Sequence, residues 1–118
     1  MKRLTYPLGL FGGYGVELEY MIVDSRTLDV APVADRVLSA VAGEIVAEVS
    51  LGRISWSNEL VLHVLEMKTT SPEAGLAGLA SLFADNVRKA NEHLAHMDAM
   101  LMPTAMHPWM RSLEEMRL

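Results

Sequence analysis

From Val16 onward, positions alternate in parity: Val16, Leu18, Tyr20 and Ile22 fall on one side, and Glu17, Glu19, Met21 and Val23 on the other. A two-residue period places successive side chains on opposite faces, so a strand is predicted from Val16 to Asp24. Asp24-Ser25-Arg26-Thr27 has turn chemistry, and Leu28 to Ala31 is expected to return as the second strand of a hairpin. Pro32 suits the first turn of a helix. Val33, Val37, Leu38 and Val41 then recur at helical spacing until Gly43 stops them.

Glu44 to Val49 reads as a short strand followed by a turn near Gly52. Between Glu59 and Thr69 only Leu65 to Thr69 predicts a strand, because the earlier part is equally compatible with a helical turn. Ser71-Pro72-Glu73 combines an N-cap, a first-turn proline and an acidic first turn, which predicts a helix from Pro72 to about Met97. Leu76, Leu79, Leu82, Phe83, Val87, Ala90, Leu94 and Met97 form its apolar stripe. A last strand is expected from Met100 to Thr104. Strands interleaved with helices, including a hairpin, indicate an α+β fold: a mostly antiparallel sheet with helices packed on one face, in one domain spanning residues 1–118.

Composition narrows the function. With 51% hydrophobic residues in 118, the chain can build a core without a disulfide or structural metal, so any metal is expected to be functional. A formal net charge of −5 has the wrong sign for nucleic acid or an anionic membrane. No apolar run approaches the roughly 18 residues needed to span a bilayer. Met1-Lys2-Arg3 and the apolar residues after it faintly imitate a secretory signal. Pro7, Gly9, Gly12 and Gly13 interrupt that pattern, so the cytoplasm is the expected compartment. A mean hydropathy of +0.21 and nine Met are apolar for a small acidic chain, which points to a face covered by another chain or by a missing domain, and a homo-oligomer is expected.

Candidate chemistry centres on acids. Glu17 and Glu19 share a strand face with Cβ atoms roughly 7 Å apart, so they face solvent, flank a Lys or share a divalent cation. Glu59 and Glu66 flank the apolar run Leu60 to Leu65. Glu66 pairs with Lys68, its same-parity neighbour, holds a proton or binds a cation, and Glu59 is either a surface residue or part of the same set. His93 and His96 stand three apart on the long helix, a spacing that can share a metal but that exposed histidines also show. His107 lies in a loop after the last strand. Gly12-Gly13-Tyr14-Gly15 precedes a strand and lacks a following Gly-Lys-Ser/Thr, which rejects the phosphate-loop fingerprint. With no cysteine and no Gly-x-Ser-x-Gly, covalent hydrolase chemistry has little support.

Three stretches in order, Gly15 to Asp24, Ser57 to Thr69 and Met102 to Trp109, resemble the bacterial carboxylate-amine ligases, the family of the second type of glutamate-cysteine ligase with a glutamine-synthetase-like fold. The resemblance implies an ATP-dependent enzyme that activates a carboxylate, typically the γ-carboxylate of glutamate, as an acyl phosphate that an amine then displaces. It assigns Mg²⁺ (or Mn²⁺) to Glu17 and Glu19 and, by the next motif, to Glu59 and Glu66. His107 falls near the substrate pocket, and Arg53, Lys68 and Arg111 are the cations near the motifs. Family members are longer, so the chain is expected to be an N-terminal portion of the catalytic domain. The competing readings are a non-catalytic oligomeric binding or assembly module that keeps the half-sheet, and a zinc hydrolase using His93 and His96.

Overall fold

A computed structural model describes residues 9, 12–103, 106–110 and 115–118. Five strands, β1 (Glu17–Asp24), β2 (Glu48–Leu51), β3 (Ile54–Asn58), β4 (Val64–Thr69) and β5 (Ala99–Met102), form one sheet in the order β2-β3-β4-β1-β5. Every neighbouring pair is antiparallel. Two helices, α1 (Ala34–Ala42) and α2 (Leu79–Ala95), complete the α+β fold. Ile22, Ile54, Trp56, Leu65, Met67 and Leu101 of the sheet pack with Val37 and Leu38 of α1 and with Phe83, Ala90 and Leu94 of α2 in one buried core. The helices therefore cover the even-numbered face of β1. The opposite face carries Glu17 and Glu19, and the register sets Glu66, Lys68, Ser55, Ser57 and Glu48 beside them.

Several boundaries differ from expectation for local reasons. Leu28 to Ala31 forms no strand, only the single bridge Val23–Val30. There Asp24 Oδ1 accepts the Arg26 and Thr27 N–H groups, and the chain passes at once into α1, whose Ala34 N–H reaches the Leu62 carbonyl. Pro32 precedes the helix rather than opening it, and the third expected strand begins at Glu48, not Glu44. Gly52, at φ 83°, supplies the left-handed residue that turns β2 into β3.

The strand β3 is absent from the sequence reading, although Ile54 and Trp56 alternate with Ser55 and Ser57. The long helix starts seven residues late. Tyr14 and Glu73 exchange backbone hydrogen bonds at 2.8 Å, which draws Glu73 into a bridge, and the left-handed Gly78 then opens α2. Leu76 consequently lies outside the helix and is exposed, and Leu82 is half-buried, while Leu79, Phe83, Ala90 and Leu94 carry the buried stripe. The last strand ends at Met102, and Thr104 and Arg111 lie outside the described residues. No helix among the described residues is long and apolar enough to cross a membrane.

Candidate metal centre

The sheet face opposite the helices gathers carboxylates by register. Glu19 and Glu66 sit directly opposite each other on β1 and β4, and Glu66 also faces Ser57 on β3. Glu59 arrives from the connection between β3 and β4, which turns at Leu62 and His63 rather than continuing a strand. That turn puts Glu59 on the same side as Glu66 despite the seven-residue gap. One oxygen from each of Glu19, Glu59 and Glu66 lies within 4.8 Å of the others. Among the described residues this is the one group of three or more such side chains close enough to hold an ion.

The carboxylates of this trio crowd one another. Glu66 is 8% exposed at its side chain, and its pKa is pushed up to about 7. The hydrogen bond it shares with Glu59 is the largest cause, followed by burial, then the charges of Glu59 and Glu17; Lys68 opposes them. Lys68 Nζ is 3.9 Å from Glu66 but 3.0 Å from Glu48, so the cation leans away from the cluster. Ser57 Oγ offers Glu66 only a long hydrogen bond of 3.5 Å. A buried carboxylate with so little compensation holds a proton near neutrality, in the place where a divalent ion would relieve the repulsion.

The remaining candidates separate. Glu17 shares the face of Glu19 but pairs in register with Lys68, one step along the strand from the trio. Arg53 is engaged by Glu73, at 2.5 Å from its Nη2 and 3.2 Å from its Nε, which ties the segment before α2 to the β2–β3 turn. His107 has both ring nitrogens occupied. Trp109 N–H donates to Nδ1, so Nε2 carries the proton and donates to the Leu28 carbonyl at 2.6 Å. Trp109 Nε1 in turn donates to Asp29. In this arrangement His107 fastens its loop to the loop after β1 and has no free nitrogen for proton transfer. His93 and His96 lie on α2 without a third ligand gathered to them among the described residues.

Two features escaped the sequence reading. Glu48, the closer partner of Lys68, was read only as part of a strand, although the alternation Glu48, Ser50 marks the polar face. His63 is buried with Nδ1 unpartnered, and burial together with His107 pushes its imidazole down while Glu115 opposes. Nothing in its aliphatic neighbours distinguishes it from a surface histidine.

Residues 14–117 match the sequence model of glutamate-cysteine ligase family 2. The chain belongs to that family. Glu17, Glu19, Glu59 and Glu66 and the loop carrying His107 fall within the match, which covers most of the chain. An uncharacterized protein of Archaeoglobus fulgidus is 33% identical over 98 residues, which is 82% of this chain and 26% of that protein. The chain thus spans about a quarter of the length of that relative. No solved structure matches it.

Proposed function

We propose that this chain is a single domain that supplies the cation-binding face of an ATP-dependent carboxylate-amine ligase of the glutamate-cysteine ligase kind. The observation that supports this most is the convergence of Glu19, Glu59 and Glu66 on the sheet face opposite the helices. Their oxygens are hard ligands of the type Mg²⁺ and Mn²⁺ take, and the raised pKa of Glu66 is a mark of crowding that a cation relieves. These three residues would hold the ion, with Glu17 beside them. Mg²⁺ bound there would neutralise the phosphate and carboxylate anions that acyl-phosphate formation brings together.

The chain's own side chains set the charge around that site. Glu48 holds Lys68 at the border of the face, where its ammonium remains near Glu66 without filling the cluster. The substrates on this reading are ATP, a glutamate-like acid and an amine, acted on in the cytoplasm.

Metal preference and trapping test the proposal together. Mn²⁺ and Mg²⁺ are expected to bind the chain, and the losses from Glu19→Gln and Glu66→Gln are expected to be less than additive, since both act on one site. Removing His93 and His96 together should change nothing. In the polypeptide as its gene encodes it, ATP, Mg²⁺, glutamate and hydroxylamine should yield a glutamyl hydroxamate. Tight Zn²⁺ binding lost with the two histidines would favour the hydrolase, and metal binding without hydroxamate would favour the non-catalytic module.

A further inference from the structure

We infer that the open edge of β1 is a docking site for an extended basic strand, a partner segment in which apolar residues alternate with Lys or Arg. The edge is defined by where β5 stops. β5 pairs with β1 only from Met21 to Asp24, Pro103 follows it, and by His107 the chain is back at the Leu28 carbonyl. Among the described residues, no strand lies beside Glu17–Tyr20 on the side away from β4.

The backbone of that edge is turned outward. Thr69 N–H reaches the Val16 carbonyl, Ile22 N–H reaches His63, and the Ile22 carbonyl accepts from Ala31, so even-numbered residues direct their backbone groups toward β4. Alternation leaves the N–H and C=O groups of Glu17 and Glu19 facing the open side, a template for strand addition. The two faces of the edge differ in chemistry. On the helix side, Val16, Leu18 and Tyr20 form a groove of about 610 Å³ with Leu76, Phe83 and Val87, and Leu18 and Leu76 are 37% and 56% exposed. On the other side stand the exposed carboxylates of Glu17 and Glu19.

Charge decides the occupant. A second copy of the chain that kept its apolar residues on the groove side would set glutamate opposite glutamate in every antiparallel register that aligns Glu17–Glu19 with the same stretch of the copy, which like-charge repulsion disfavours. A strand with apolar side chains for the groove and Lys or Arg for the opposite face meets both surfaces at once. Its cationic residues would stand beside Glu17 and Glu19.

The test uses the isotopically labelled chain with chelator present, so that no divalent ion competes. Three peptides of about seven residues are added: alternating valine and lysine, alternating valine and glutamate, and a shuffled peptide of the valine–lysine composition. The alternating valine–lysine peptide alone is expected to protect the Glu17 and Glu19 amides from exchange. Glu17→Lys, at an exposed position, should weaken it roughly fivefold to tenfold with the circular dichroism unchanged. Equal protection by either control, or no protection by any peptide, would overturn the proposal. So would protection that rises with concentration of the chain alone, which would make the occupant a second copy.

Discussion

Glu66→Gln is expected to weaken Mn²⁺ binding by roughly a hundredfold or more, since loss of a direct ligand costs more than loss of the groups that orient one. Glutamine keeps the size of the side chain and can still donate to Glu59, so the fold should survive. Its effect on stability should run the other way. The folded pKa of Glu66 is raised from 4.5 to about 7, so the folded chain holds a proton that the unfolded chain has lost between those values. The stability tied to that proton is fully present below pH 4.5 and is lost as pH rises through about 7. Without divalent ions, the wild-type chain should therefore lose stability on going from pH 5 to pH 8, on the order of a few kcal/mol. The variant should lack that loss. Urea melts at the two pH values, with and without Mn²⁺, check both halves of the expectation.

Trp56→Ala should be the most damaging core substitution, at about 3–5 kcal/mol. Trp56 is fully buried on β3, facing both helices, and its Nε1 donates to Asn86 Oδ1 at 2.9 Å. Asn86 in turn donates to the Leu82 carbonyl within α2. Truncation leaves a cavity between sheet and helix and strips the buried Asn86 oxygen of its donor. Trp56→Phe keeps most of the packing and loses the hydrogen bond, and should cost about 1–3 kcal/mol. Domains of this size have only about 5–15 kcal/mol in total, so the alanine variant should melt at markedly lower urea.

What was legible in the chain follows from the range of the forces involved. β1 and the acids at Glu17 and Glu19 could be read from alternation, because the period of a strand is local. The apolar stripe of α2 was legible for the same reason, but its start was not. Ser71-Pro72-Glu73 carries local helix-starting chemistry, and a backbone bridge to Tyr14, distant in sequence, overrides it. β3 was hidden because Ser55 and Ser57 look like turn residues until β2 and β4 pair with it on both sides. The cluster shows the same limit. The family resemblance grouped Glu59 with Glu66 where the residue pattern left turn and strand open between them, and the separation of Glu19 from Glu17 depends on the β1–β4 register. Placing Glu19, and not Glu17, opposite Glu66 is a tertiary fact with no trace in the spacing.

On the proposed function, Glu19, Glu59 and Glu66 form a divalent-cation site in which the ion displaces the proton of Glu66. Calorimetric titration of Mn²⁺ in buffers of different ionisation enthalpy measures that displacement by counting the protons released. Release should approach about one proton per ion at pH 6, fall away above about pH 8, and be absent in Glu66→Gln. Mn²⁺ binding of equal affinity at pH 6 and pH 8 with no proton released, or binding that Glu66→Gln leaves unchanged, would contradict it.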